Sequence, residues 1–121
     1  MGRDQLPAPD RRADRPDQHR PELGAPVPIF ATIYHYEDDS DATRDEHRPA
    51  HRAWLGEQKD AGILKASGPW AAPHAGALLL WESDDEASLR ELIPADPFAV
   101  VGVIRQTDVY EWTPVFGPFV P

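Results

Sequence analysis

The order of strand and helix signals between residues 29 and 112 predicts an α+β, ferredoxin-like fold. This is a β-α-β-β-α-β chain forming a four-stranded antiparallel sheet with two helices on one face. Three observations carry that prediction. Four short runs are rich in β-branched, aromatic or leucine residues, two intervening segments have helical spacing with their own start or stop signals, and the two kinds alternate at short intervals.

The first run, Ile29 to Tyr36 (IFATIYHY), has no Gly or Pro, and its β-branched and aromatic side chains suit a pleated strand. Its two faces, Ile29, Ala31, Ile33, His35 and Phe30, Thr32, Tyr34, Tyr36, are both largely apolar, so both are expected to be covered. After the acidic turn Glu37 to Asp41, Arg44 to Ala61 reads as a helix ended by Gly62, the residue best suited to a left-handed cap. On it His51, Trp54, Leu55 and Gln58 recur at spacings of three and four and share one face. Pro49 lacks a backbone donor, so the helix is expected to begin near it or to kink there.

Ile63 to Ser67 is a short strand stopped by Gly68-Pro69, and Gly76 to Glu82 (GALLLWE) is apolar enough for a central strand. Ser83-Asp84-Asp85-Glu86 has the form of a capping box, opening a helix that carries Ala87, Leu89, Leu92 and Ile93 up to Pro94. Asp96-Pro97-Phe98 makes a turn or a single helical turn before a last strand from about Val103 to Trp112. With both helices on one side, the other sheet face is left bare. An apolar face of that size is best buried against a second copy, so a homodimer with facing sheets is expected.

Residues 29–112 are the expected domain. Residues 1–28 hold six of the 14 prolines and five Arg balanced by five acidic residues, but few apolar side chains. They read as a disordered Pro/Arg/Asp-rich extension that could not bury enough surface to offset its chain entropy. Residues 113–121, with Val115, Phe116 and Phe119, form a tail expected to dock.

Composition excludes several function classes. The 121 residues carry 21 acidic and 12 basic side chains, a formal net charge of -9, opposite to the footprint of a phosphate-backbone binder, so nucleic acid is not expected as a partner. With no cysteine there is no disulfide framework, thiol chemistry or iron-sulfur cluster. The longest apolar stretch, Ala75 to Trp81, is far short of the roughly 20 residues needed to span a bilayer. The first 20 residues have no apolar core of the kind a signal peptide requires, so no membrane association and a cytoplasmic location are expected.

Three stretches, in this order and on these elements, resemble the YCII-related (YciI-like) family of small dimeric α/β-barrel proteins. They are Arg48-Pro49-Ala50-His51, Ser67-Gly68-Pro69, and Ala95-Asp96-Pro97-Phe98 with Gly102. The resemblance covers roughly residues 29–112. It implies a His and Asp pair at the active centre, which falls here on His51 and Asp96, and dehydrochlorinase-type chemistry on a small molecule with neither metal nor organic cofactor. Muconolactone isomerase shares the broader barrel architecture, so isomerisation is a related expectation by analogy alone. The loop Trp70 to Ala75 departs from the family's pattern and is expected to border the pocket.

The chemistry of these residue types is coherent. A neutral imidazole is a natural base near neutral pH, and a carboxylate bonded to it fixes its tautomer and stabilises the imidazolium it becomes. Arg48 would set a fixed positive charge beside a developing enolate, phenolate or carboxylate, and Ser67 with the amide of Gly68 would donate hydrogen bonds to the same anion. The expected function is lyase- or isomerase-type proton transfer. Its alternative is a non-catalytic dimeric module that binds a small molecule or a protein. His47 and His51 have the four-residue spacing of a helical metal pair, but Pro49 between them disturbs it and no third ligand is marked. Asp38, Asp39 and Asp41 lack the glycine and terminal Glu of a calcium loop.

Overall fold

A computed structural model describes residues 27–121. The expected 1–28 extension falls outside the described residues except for its last two: Val27 is buried, and the Pro28 carbonyl accepts from the Ser83 amide at 3.1 Å.

The chain runs β1 (Ile29–Tyr36), α1 (Asp41–Asp60), β2 (Leu64–Trp70), β3 (Gly76–Glu82), α2 (Glu86–Leu92), a 3-10 turn (Ile93–Ala95), α3 (Pro97–Val100) and β4 (Ile104–Trp112). The strands form one sheet in the order β2-β3-β1-β4, every neighbouring pair antiparallel. This is the ferredoxin-like arrangement.

Sequence and structure part in three places. The first helix begins at Asp41 and continues through Pro49 to Asp60. Its end follows the expected glycine, Gly62, at φ 80°. The second strand runs on through Gly68 and Pro69 to Trp70. Proline is tolerated there because β2 is an edge strand, with one side free of ladder partners. The second helix is capped by Asp85, whose carboxylate accepts from the Ser88 amide at 2.8 Å, while the Ser83 hydroxyl is spent on the Asp85 carbonyl. Of the two forms expected after Asp96 the chain takes the helical one, the one-turn helix α3 with Asp96 as its cap.

Phe30, Thr32, Tyr34 and Tyr36 form the buried face of β1, joined by Leu79 and Trp81 of β3. The core closes over them with Leu64, Leu89, Ile93, Phe98 and Val103, and the Trp54 ring of α1 meets Trp81 edge-on at 6.0 Å. Trp81 is fully buried, so its indole N–H needs a partner inside; it donates to the hydroxyl of Thr32, also fully buried, at 3.0 Å.

The opposite face carries Ala31, Ile33 and His35 of β1, with Leu78, Tyr110 and Trp112 in register beside them. Leu78, Tyr110, Trp112 and Trp70 are exposed there. Part of the 113–121 tail returns to this region, with Phe119 against Trp112 at 6.4 Å, whereas Val115 and Phe116 stand in solvent.

Thr32→Val keeps the shape of the side chain but leaves the buried indole donor without an acceptor. It should destabilise the domain by about 1–3 kcal/mol, seen as a lower midpoint in urea with an unchanged slope.

Candidate functional site

Asp96 is wholly buried, a costly position for a carboxylate unless donors surround it. Three converge on it from three parts of the chain. The Tyr34 hydroxyl of β1 donates to one oxygen at 2.9 Å. His51 Nδ1 of α1 lies 2.7 Å from the other, and that same oxygen accepts from the Phe98 amide at 2.9 Å. The last contact is local, since a residue before proline at a helix start turns its side chain back onto the first free amides. The other two depend on the fold, Tyr34 lying 62 residues away in sequence and His51 45.

This geometry sets the histidine's tautomer. An ionised carboxylate only accepts, so Nδ1 carries the hydrogen and Nε2 the lone pair. No protein group among the described residues bonds Nε2. The imidazole is also held flat against the Phe98 ring, centroids 3.9 Å apart and planes within 4°. Phe98 in turn meets Tyr36 edge-on at 5.7 Å. Burial and the neighbouring Asp96 carboxylate raise the Tyr34 hydroxyl's pKa far above the ordinary tyrosine range, so it stays a donor. Burial likewise pushes Tyr36 up to about 12, only partly opposed by the Arg44 guanidinium 4.6 Å from its ring centre.

His51 lines a cavity of about 350 Å³ between α1 and the helix-facing side of β2 and β3. Arg48, Ser67 and Gly68, expected from the sequence to serve one site, line it too. Asp96 does not reach it and stands behind His51. Arg48 is fixed by Asp45 at 2.6 Å, and Arg44 by Ser40 and Asp41. Leu55, Leu64, Ala77 and Leu79 supply the apolar wall.

Several residues escaped the sequence reading. Tyr34 and Tyr36 were visible only as strand residues, and the stacking surface of Phe98 only as part of a turn. Arg44, Arg52 and Lys59 carried a usable signal, for they recur on the α1 stripe that holds Arg48, His51 and Leu55. The expectation that Trp70 to Ala75 borders the pocket is not met: the cavity is lined as far as Pro69, and Trp70 lies on the opposite sheet face. His35 is on that face as well, its Nε2 2.7 Å from Asp108, whose carboxyl is held below the usual range by Gln106 and then His35. His47 and His51 do not act together, His47 lying 4.0 Å from Glu46. No group of three or more His, Asp or Glu among the described residues could hold a metal ion. No helix among them is long and apolar enough to cross a membrane.

The model of one family, the YCII-related domain, matches residues 29–113. No curated protein matches the chain. Among solved structures, the chain is similar to the 5-chloro-2-hydroxyhydroquinone dehydrochlorinase of Burkholderia phenoliruptrix AC1100, determined in complex with 2,5-dihydroxybenzoquinone. The TM-score is 0.64 at 22% identity, over 70% of this chain and 93% of that one, a likeness of fold.

Tyr36 has a consequence for alkaline stability. Its folded pKa is raised, so its contribution is fully present below the unfolded value near 10 and is lost as pH rises towards about 12. Urea midpoints should fall across that interval, and Tyr36→Phe should flatten the fall; an unchanged slope in the variant would refute this origin.

Proposed function

Because the chain belongs to the YCII-related domain family, and because the fully buried carboxylate of Asp96 fixes a cavity-lining imidazole, we propose that it catalyses proton transfer on a small molecule, as a lyase or an isomerase. The carrying observation is the 2.7 Å contact between His51 Nδ1 and Asp96, which leaves Nε2 as the basic atom on the cavity side of the pair.

His51 Nε2 takes a proton from a carbon acid in the cavity, and Asp96 steadies the imidazolium that results. Arg48, with Ser67 and the Gly68 amide, compensates the negative charge left on the substrate. The electron pair released from the C–H bond then either expels a leaving group such as halide, giving elimination, or shifts a double bond, after which His51 returns the proton at another carbon. These steps need only the groups named. The dehydrochlorinase that shares the fold performs an elimination, which supports the first branch.

The exposed apolar residues Trp70, Leu78, Tyr110 and Trp112 on one sheet face support the companion reading that two copies pair through their sheets. We assign the protein to the cytoplasm, in keeping with its cysteine-free sequence.

Two measurements test these readings. Small lactones, catechols and chlorinated phenols incubated with the protein should yield, for at least one, a product detected by mass spectrometry. His51→Gln should lower that turnover by about 10²–10⁴-fold when assayed well below the variant's own, lowered thermal midpoint. A His51→Gln variant as active as the parent would sink the mechanism. Sedimentation equilibrium at micromolar concentration should give twice 13.5 kDa, and Leu78→Asp should halve it; a parent protein that sediments as a monomer would overturn the pairing.

A further inference from the structure

The charges of the domain are sorted. Residues 29–121 contain seven Lys and Arg against 16 Asp and Glu, yet Arg44, Arg48, Arg52 and Lys59 all line the same cavity and none of its described lining residues is acidic. Four of seven cations along one pocket of so acidic a domain calls for a reason, because like charges gathered on one concave surface repel one another and gain from a counter-charge, even where, as at Arg52 and Lys59, they are exposed.

The four are not equivalent. Arg44 and Arg48 are each held by a carboxylate one turn earlier, Asp41 and Asp45. Arg52 and Lys59 have no carboxylate partner among the described residues. They flank Gly56, which also lines the cavity and puts no side chain between them; a Cβ built there would meet nothing within 4 Å. Leu55 of the same helix, with Leu64 and Leu79 opposite, gives the cavity an apolar wall. Along α1, His51 and Gly56, which lies between the two cations, are five residues apart, about 7.5 Å at 1.5 Å per residue. That distance suits a substrate with an apolar body between its reacting carbon and a charged end.

We infer that Arg52 and Lys59 form an anion subsite distinct from the Arg48 and Ser67 end, and that the substrate is a small organic acid. Its apolar or aromatic body lies on Leu55 and Leu79, its carboxylate is held by Arg52 and Lys59, and its reacting carbon faces His51. This rests on the proton-transfer reading for the role of His51, but the binding of the acid end does not. The subsite also answers the long-range problem set by the acidic surface: an anionic substrate is repelled at a distance and must be captured locally, by the exposed cations Arg52 and Lys59 at the cavity's rim.

The test is isothermal titration of the full-length protein with 4-hydroxyphenylacetate and with its primary amide, equal in size but uncharged. The acid should bind at least tenfold more tightly, with the advantage shrinking as salt is raised. The Arg52→Gln/Lys59→Gln double variant, with its thermal midpoint checked, should lose that advantage and leave the amide's affinity unchanged. His51→Gln should keep it, so a failed proton-transfer reading and a failed anion subsite give different results. Equal binding of acid and amide, binding of neither at millimolar concentration, or an advantage that survives in the double variant would each overturn the proposal.

Discussion

A buried carboxylate must be answered by donors, and Asp96 is answered by three that no single element could supply. Tyr34 is brought by the central strand, His51 by the long helix and the Phe98 amide by the short helix that Asp96 itself caps. The same bonds therefore close the fold at this end and orient the imidazole. Removing one partner of such a network costs more than the bond alone, because the groups left behind stay desolvated. Folding and site geometry are thus coupled through one side chain that does not itself line the cavity.

The division between wall and support follows from that. His51 is pinned at Nδ1 and pressed on Phe98, while Arg48 is braced by Asp45, so these groups are fixed before a ligand arrives. Pre-organised charge and a fixed lone pair are what a proton transfer uses, since the cost of orienting them has been met in folding. On the other side of the sheet, His35 and Asp108 make a second short imidazole-carboxylate contact, but on the exposed apolar face. Residue type alone does not distinguish the two pairs. Burial and the cavity do.

Much of this architecture is legible in the sequence, for reasons that can be named. The strands of IFATIYHY and GALLLWE and the helix cut off by Gly62 announce themselves because period and punctuation are local properties. The misreadings are also physical. Pro49 is compatible with either a helix start or a kink, and α1 runs through it from Asp41, so the start lies eight residues earlier than the first of these. Gly68-Pro69 looked like a stop, but an edge strand accommodates them. Ser83 and Asp85 are both competent caps, and which one bonds the helix amides depends on where the chain leaves β3. At the site, family resemblance pointed to His51 and Asp96, whereas Tyr34 was hidden because its partner is set by pairing across 62 residues. The cationic stripe was within reach, since Arg44, Arg48 and Arg52 repeat every four residues, yet its meaning depends on which side of α1 faces the sheet.

That stripe makes one wall of the cavity a single helical surface. Each residue of a helix advances the direction of its side chain by about 100°, so one residue gained or lost in α1 near its start would swing part of the stripe away from the sheet. Point substitutions, by contrast, alter single contacts and leave the rest in place. The helix therefore lets ligand preference vary residue by residue while forbidding changes in its length, and the variety available to this scaffold is one of side-chain chemistry, with cavity outline held constant.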